Sequence, residues 1–126
     1  MLAVATSPPV VNQIQLSPFN FRKELIDEGR SYGLAHEADS PLGTGTRLVD
    51  PNIQAMVARN DRKPSKVLIR WGLQHGFVVP SKSIHREYLA GNTQAQDFAL
   101  SDTHMRKLAT LDAGSVPGQA RELKWW

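Results

Sequence analysis

Few residues in this chain are of a type and spacing that could do chemistry. The four histidines, His36, His75, His85 and His104, lack the short spacings of a metal site, and no carboxylate cluster joins them. With no cysteine, the chain has no disulfide, thiolate nucleophile or thiolate zinc site, which fits a reducing compartment such as the cytoplasm. Neither a Gly-x-Ser-x-Gly elbow nor a glycine-rich nucleotide fingerprint occurs. Glu24, Asp27 and Glu28 alternate with Arg22, Lys23 and Arg30, the pattern of a solvated helix face rather than of paired catalytic acids. Two features remain. Ser40-Pro41-Leu42-Gly43-Thr44-Gly45 is built from turn-forming residues and, taken alone, is a surface turn. Lys82 alone is a solvated lysine, yet with Ser83 and Arg86 it could meet a phosphate-bearing ligand.

The elements that position these residues alternate. Residues 10–16, rich in Val, Ile and Leu, read as a strand entered from Pro8-Pro9. A helix follows over 21–32 with Leu25, Ile26 and Tyr32 inward, stopped by Gly33. A second short strand is expected over 34–38, with His36 as a satisfied core or edge residue. Asp50-Pro51 supplies a cap and a first-turn proline for a helix over 52–59. Residues 65–75 resume a helix with Val67, Leu68 and Trp71 on one face, and Arg70 paired with a carboxylate. Phe77-Val78-Val79 is the third strand, closed by Pro80, and a short helical stretch runs through 86–90. Ser101 caps a last helix with Met105, Leu108 and Leu111 inward, ending at Gly114. The tail, residues 115–126, is expected to be irregular.

Strand and helix alternating three times imply an α/β protein with parallel strands joined by helical crossovers, covered on both faces. With 126 residues, the whole chain is one domain. Its 40% hydrophobic and 21% charged residues are ordinary for a soluble protein. The apolar runs are too short for a bilayer span, and no basic n-region marks a signal peptide, so no membrane partner is expected. The net charge of +3 is spread along the chain and the aromatics are scattered, which argues against a nucleic-acid partner.

Four stretches, in order and separation, resemble the last three strands of the aldo-keto reductase barrel: Asn12-Gln13-Ile14-Gln15, Ser40-Pro41-Leu42-Gly43, Leu68-Ile69-Arg70-Trp71 and the run from Lys82-Ser83 to Asn92. Asp97-Phe98-Ala99-Leu100-Ser101 and the helix ending at Leu111-Asp112 match the family's final helix more weakly. The resemblance implies a partial (β/α)₈ TIM barrel, about its last three βα units, where ligand loops follow the C-terminal ends of the strands. It implies an oxidoreductase domain using NADPH to reduce aldehydes or ketones. By resemblance, Gln13 holds the nicotinamide carboxamide, while Ser40, Leu42 and Gly43 lie along the pyrophosphate, where small residues let backbone amides approach an anion. Lys82 and Ser83 face the phosphate on the adenosine ribose, with Arg86 a nearby substitute, and Asn92 contacts the adenine.

The departures from the family pattern matter too. Asp39 stands where the family commonly stacks a tyrosine on the nicotinamide, removing about 0.5–1.5 kcal/mol of aromatic contact and adding negative charge. Tyr88 occupies the place of a phosphate-binding arginine, and Pro80 lies one residue further from Lys82 than the family places it. The family's catalytic Asp-Tyr-Lys-His set comes from earlier strands, and Tyr32 and Tyr88 fall in segments that match other parts of the family, so neither is carried over as the acid. The expectation is therefore a C-terminal portion that keeps part of the cofactor rim and no catalytic residue. The alternative is a non-catalytic half-barrel whose open strand edges pair with another copy or with a complementary half.

Overall fold

The structure, a computed structural model, describes residues 6–58, 62–80 and 92–112. Strands β1 (Val11–Gln15) and β2 (Ala35–Asp39) pair in parallel, with Val11 opposite Ala35 and Gln15 opposite Asp39. Parallel pairing needs a crossover, and helix α1 (Lys23–Ser31) supplies it. The expected third strand is reduced to one parallel bridge. The Val78 amide donates to the His36 carbonyl at 2.9 Å, and its own carbonyl accepts from the Ala38 amide at 2.8 Å. Pro80 has no N–H with which to lengthen that ladder. These strands and their crossovers make a partial α/β barrel with parallel strands.

The helices begin where local chemistry says they should. The Asp50 carboxylate accepts from the amides of Asn52 (2.9 Å) and Ile53 (3.4 Å), and Pro51 opens helix α2 (Pro51–Ala58). Pro64 opens α3 (Pro64–Gln74), and Gly76, at φ 76°, turns the chain away after it. The Ser101 hydroxyl accepts from the His104 amide at 3.3 Å and caps α4 (Asp102–Ala109). That helix stops at Ala109, earlier than expected. The short helix expected over 86–90, Gly114 and the tail lie outside the described residues.

Apolar side chains of α1, α2, α3 and α4 close on one face of the sheet. Leu16, Ile26, Ala38, Ile53, Leu68, Trp71, Phe77 and Leu108 form the buried core. The opposite sheet face is open: Val11, Gln13, Gln15, Ala35, Asp39 and Val78 are exposed. Covering on both faces was expected. Every described helix packs on the same side, however, and the second face of a barrel sheet is covered only by the remaining strands.

Three further expectations are corrected. Tyr32 is 59% exposed. Its amide bonds back three residues to Gly29, and Gly33 (φ 75°) turns the chain into β2, so the helix ends before it can carry Tyr32 inward. Arg70 meets Gln74 instead of a carboxylate, Nε to Oε1 at 3.0 Å. Gln74 also accepts from the Leu100 amide (2.6 Å) and donates to its carbonyl (3.1 Å), tying α3 to the approach to α4. Finally, His36 is buried as expected, but its Nε2 has no hydrogen-bond partner in the described structure, because that edge of the ring rests on Gly29 of α1.

Two histidines are expected to make the fold acid-sensitive. Burial, then the Arg30 guanidinium, lower the His36 pKa below 6.5, and a hydrogen bond with the Leu25 backbone opposes this in part. His75, stacked on Phe77 at 5.5 Å, is lowered by burial and by Arg30 in the same order. Below pH 6.5 the unfolded chain takes up protons that the folded histidines refuse. Stability is therefore expected to be level above about pH 7 and to fall as pH drops through 6.5 toward the lowered folded values. Urea midpoints from pH 8 to 5 measure this, and His36→Leu should flatten the slope. An unchanged slope would mean that His36 ionises freely in the folded protein.

Candidate functional site

Because β1 and β2 run parallel and in register, the loops that follow them leave the sheet at the same end. After β1 the chain turns through Ser17 and Asn20, whose backbones exchange hydrogen bonds at 3.3 and 3.0 Å, with Phe19 at the bend. After β2 comes the turn singled out in the sequence. Ser40 adopts a left-handed φ of 50°, rare for a residue with a side chain, and Gly43 follows at 56°. The Gly43 amide donates to the Ser40 carbonyl at 2.9 Å, and the Gly45 amide to Leu42 at 3.0 Å. From Gly43 to Val49 the chain continues as a 3₁₀ segment.

Of the expected cofactor residues, Gln13 lies in mid-strand on the open face, opposite Glu37 in the register and exposed. Ser40, Leu42 and Gly43 follow β2 directly, with Leu42 half-buried against the core. Asp39 is the last residue of β2 and is exposed. Asn92 is half-buried at the start of the third described stretch, and Gln94, two residues on, accepts from Lys66 Nζ at 2.6 Å. Lys82, Ser83 and Arg86 lie outside the described residues. An open cleft of about 460 Å³ between α2 and α3, lined by Gln54, Val57, Ala58, Arg62, Lys63 and Lys66, contains none of the expected cofactor residues.

One residue at the strand ends escaped the sequence reading. Arg47 folds back along Gly43, where a Cβ would stand 2.5 Å from its Cγ, and carries its guanidinium to 4.5 Å from the Phe19 ring centre. An arginine in a run of turn residues announces nothing by spacing, because its partner lies on another loop. Among the described residues, no group of three His, Asp or Glu side chains could hold a metal, and no helix is long and apolar enough to cross a membrane.

Comparison with known proteins places this geometry. No protein-family model matches the chain. An uncharacterised oxidoreductase of Saccharomyces cerevisiae is 44% identical over 105 residues, which is 83% of this chain and 37% of the relative. An aldo-keto reductase of Mycolicibacterium smegmatis is 42% identical over 110 residues, covering 87% of this chain and 40% of the relative. Among solved structures, a mutant of Gox0644 in complex with NADPH superposes with a TM-score of 0.84 at 31% identity, over 95% of this chain and 46% of that one. An aldo/keto reductase from Brucella melitensis gives a TM-score of 0.80 at 30% identity, over 88% of this chain and 42% of its own. The chain thus spans about two fifths of the length of the curated relatives it matches. Agreement in sequence along most of this chain, and in fold, is with aldo-keto reductases, of which it spans the smaller part.

Proposed function

We propose that this chain is the C-terminal portion of an NADPH-dependent reductase of aldehydes and ketones, and that it contributes part of the cofactor-binding rim. The observation that carries the reading is the superposition on an NADPH-bound neighbour along 95% of this chain, with a glycine turn directly after a parallel strand. When bound, NADPH supplies the hydride for carbonyl reduction. What this chain adds is binding and orientation. The exposed Gln13 amide can pair with the nicotinamide carboxamide, donor to acceptor and acceptor to donor. The turn at Ser40, Leu42 and Gly43 lies at the strand ends, where its backbone can meet the diphosphate. Lys82 and Ser83, helped by Arg86, hold the phosphate on the adenosine ribose and so favour NADPH over NADH, while Asn92 meets the adenine. The proton donor to the carbonyl oxygen comes from residues outside this stretch, so the chain by itself binds without reducing. The lack of cysteine fits a cytoplasmic setting.

Titration of NADPH fluorescence tests the reading. Lys82→Ala is expected to weaken NADPH binding about tenfold, the loss of one charge-assisted phosphate contact, and to leave NADH unchanged. Equal NADPH affinity in wild type and variant would dismiss the site. Turnover of an aldehyde by the purified chain would refute the assignment of the proton donor to other residues.

Exposed apolar side chains favour a second reading, self-association through the sheet. Val11 is 45% and Val78 50% exposed on the open face, and β1 pairs on one side only among the described residues. Light scattering that shows a monomer at every concentration would rule it out.

A further inference from the structure

The side chain of Arg47 is held in a way that the cofactor residues named above do not explain. It starts in the 3₁₀ segment that follows β2, runs back across Gly43 through the space a side chain there would fill, and ends over Phe19 in the turn that follows β1. It therefore bridges the two loops that leave the parallel strands at the same end. Its side chain has no ion pair among the described residues, where the single ion pair joins Lys23 and Asp27 on α1. A guanidinium lying over an aromatic ring uses its π face, while its N–H donors lie in its own plane and stay available. Two of those donors in parallel suit neighbouring oxygens of one anion, a geometry that lysine cannot match.

We infer that Arg47, parked on Phe19, is a diphosphate-binding residue of the strand-end rim. The inference rests on the reading that a cofactor lies along Ser40, Leu42 and Gly43, and it adds a charged partner to a turn otherwise made of backbone and small side chains. Phe19 acts as a positioning residue: it holds the guanidinium at the rim before the anion arrives, which lowers the ordering cost of binding. Gly43 serves the same end by leaving a channel for the Arg47 side chain. A larger residue at 43 would displace Arg47 before it touched any ligand.

Inorganic diphosphate is the direct probe, titrated into the whole chain while the Arg47 Nε–H resonance and the Phe19 ring resonances are followed by NMR. Saturable shifts at both are expected, with binding weakened about tenfold in Arg47→Ala and less in Arg47→Lys, which keeps the charge and loses the paired donors. Phe19→Leu should weaken diphosphate while leaving the Arg47 resonance responsive. Lys23→Ala, on the exposed face of α1 and already paired with Asp27, should bind diphosphate as wild type does. No shift at Arg47, or equal diphosphate affinity in wild type and Arg47→Ala, would overturn the inference. If Lys82→Ala leaves NADPH binding unchanged while Arg47→Ala abolishes the diphosphate response, the nucleotide reading fails and the anion site stands.

Discussion

Replacing Trp71 with alanine is expected to cost about 3–5 kcal/mol of folding stability, a large share of the roughly 5–15 kcal/mol typical of a domain. Trp71 is 2% exposed on α3 and meets three rings, two of them just past the end of its own helix and one from beyond the β1 turn. Phe21, after the β1 turn, packs edge-on at 5.8 Å; His75 lies at 4.7 Å and Phe77 at 6.0 Å. Truncation would remove the transfer energy of the indole and leave a cavity that the packed neighbouring rings cannot readily fill. Each lost aromatic pair adds about 0.5–1.5 kcal/mol beyond its area. Urea unfolding followed by far-ultraviolet dichroism measures the loss. Trp71→Phe, which keeps an aromatic face, should recover much of it. A cost below about 1 kcal/mol for Trp71→Ala would mean that α3 does not pack as described.

Gly29→Ala sets two opposed effects against each other. Inside α1, helix propensity alone favours alanine by about 1 kcal/mol. The added Cβ, however, would lie 2.5 Å from His36 Nε2 and 2.7 Å from Cε1, and that ring is buried between α1 and the sheet. Overpacking at such a site costs about 1–3 kcal/mol, so a net loss of up to about 2 kcal/mol is expected. The double variant Gly29→Ala, His36→Ala separates the effects. With the ring gone, alanine at 29 should become favourable, giving a coupling energy of about 1 kcal/mol or more. Stabilisation by Gly29→Ala alone would show that α1 stands further from β2.

Much of the architecture could be read from residues because the forces behind it act over one or two turns. Asp50 before Pro51 and Ser101 before Asp102 satisfy amides two or three positions away, so the starts of α2 and α4 follow from neighbours in sequence. The spacing of Val67, Leu68 and Trp71 gives α3 its buried face. The third strand was legible as an apolar run, but its extent depended on what it could pair with, and only Val78 finds a partner. Tyr32 was misread for a related reason: periodicity continues through a helix end, whereas the chain does not. Of the candidate site, the turn at Ser40, Leu42 and Gly43 was visible through its residue types. Arg47 was not, since nothing near it in sequence requires Phe19.

By itself, then, the order of residues determined the alternation of strand and helix, the caps at Asp50 and Ser101, and the parallel pairing. Those properties come from hydrophobic period and local hydrogen bonding, which need no knowledge of distant partners. Tertiary structure alone decided that His36 rests on Gly29, that Gln74 clasps the backbone of Leu100, and that the Phe21 amide reaches Asp112 at 3.4 Å across 91 residues. Such contacts exist only once the helices have closed on the sheet, because each needs two side-chain directions fixed by separate elements.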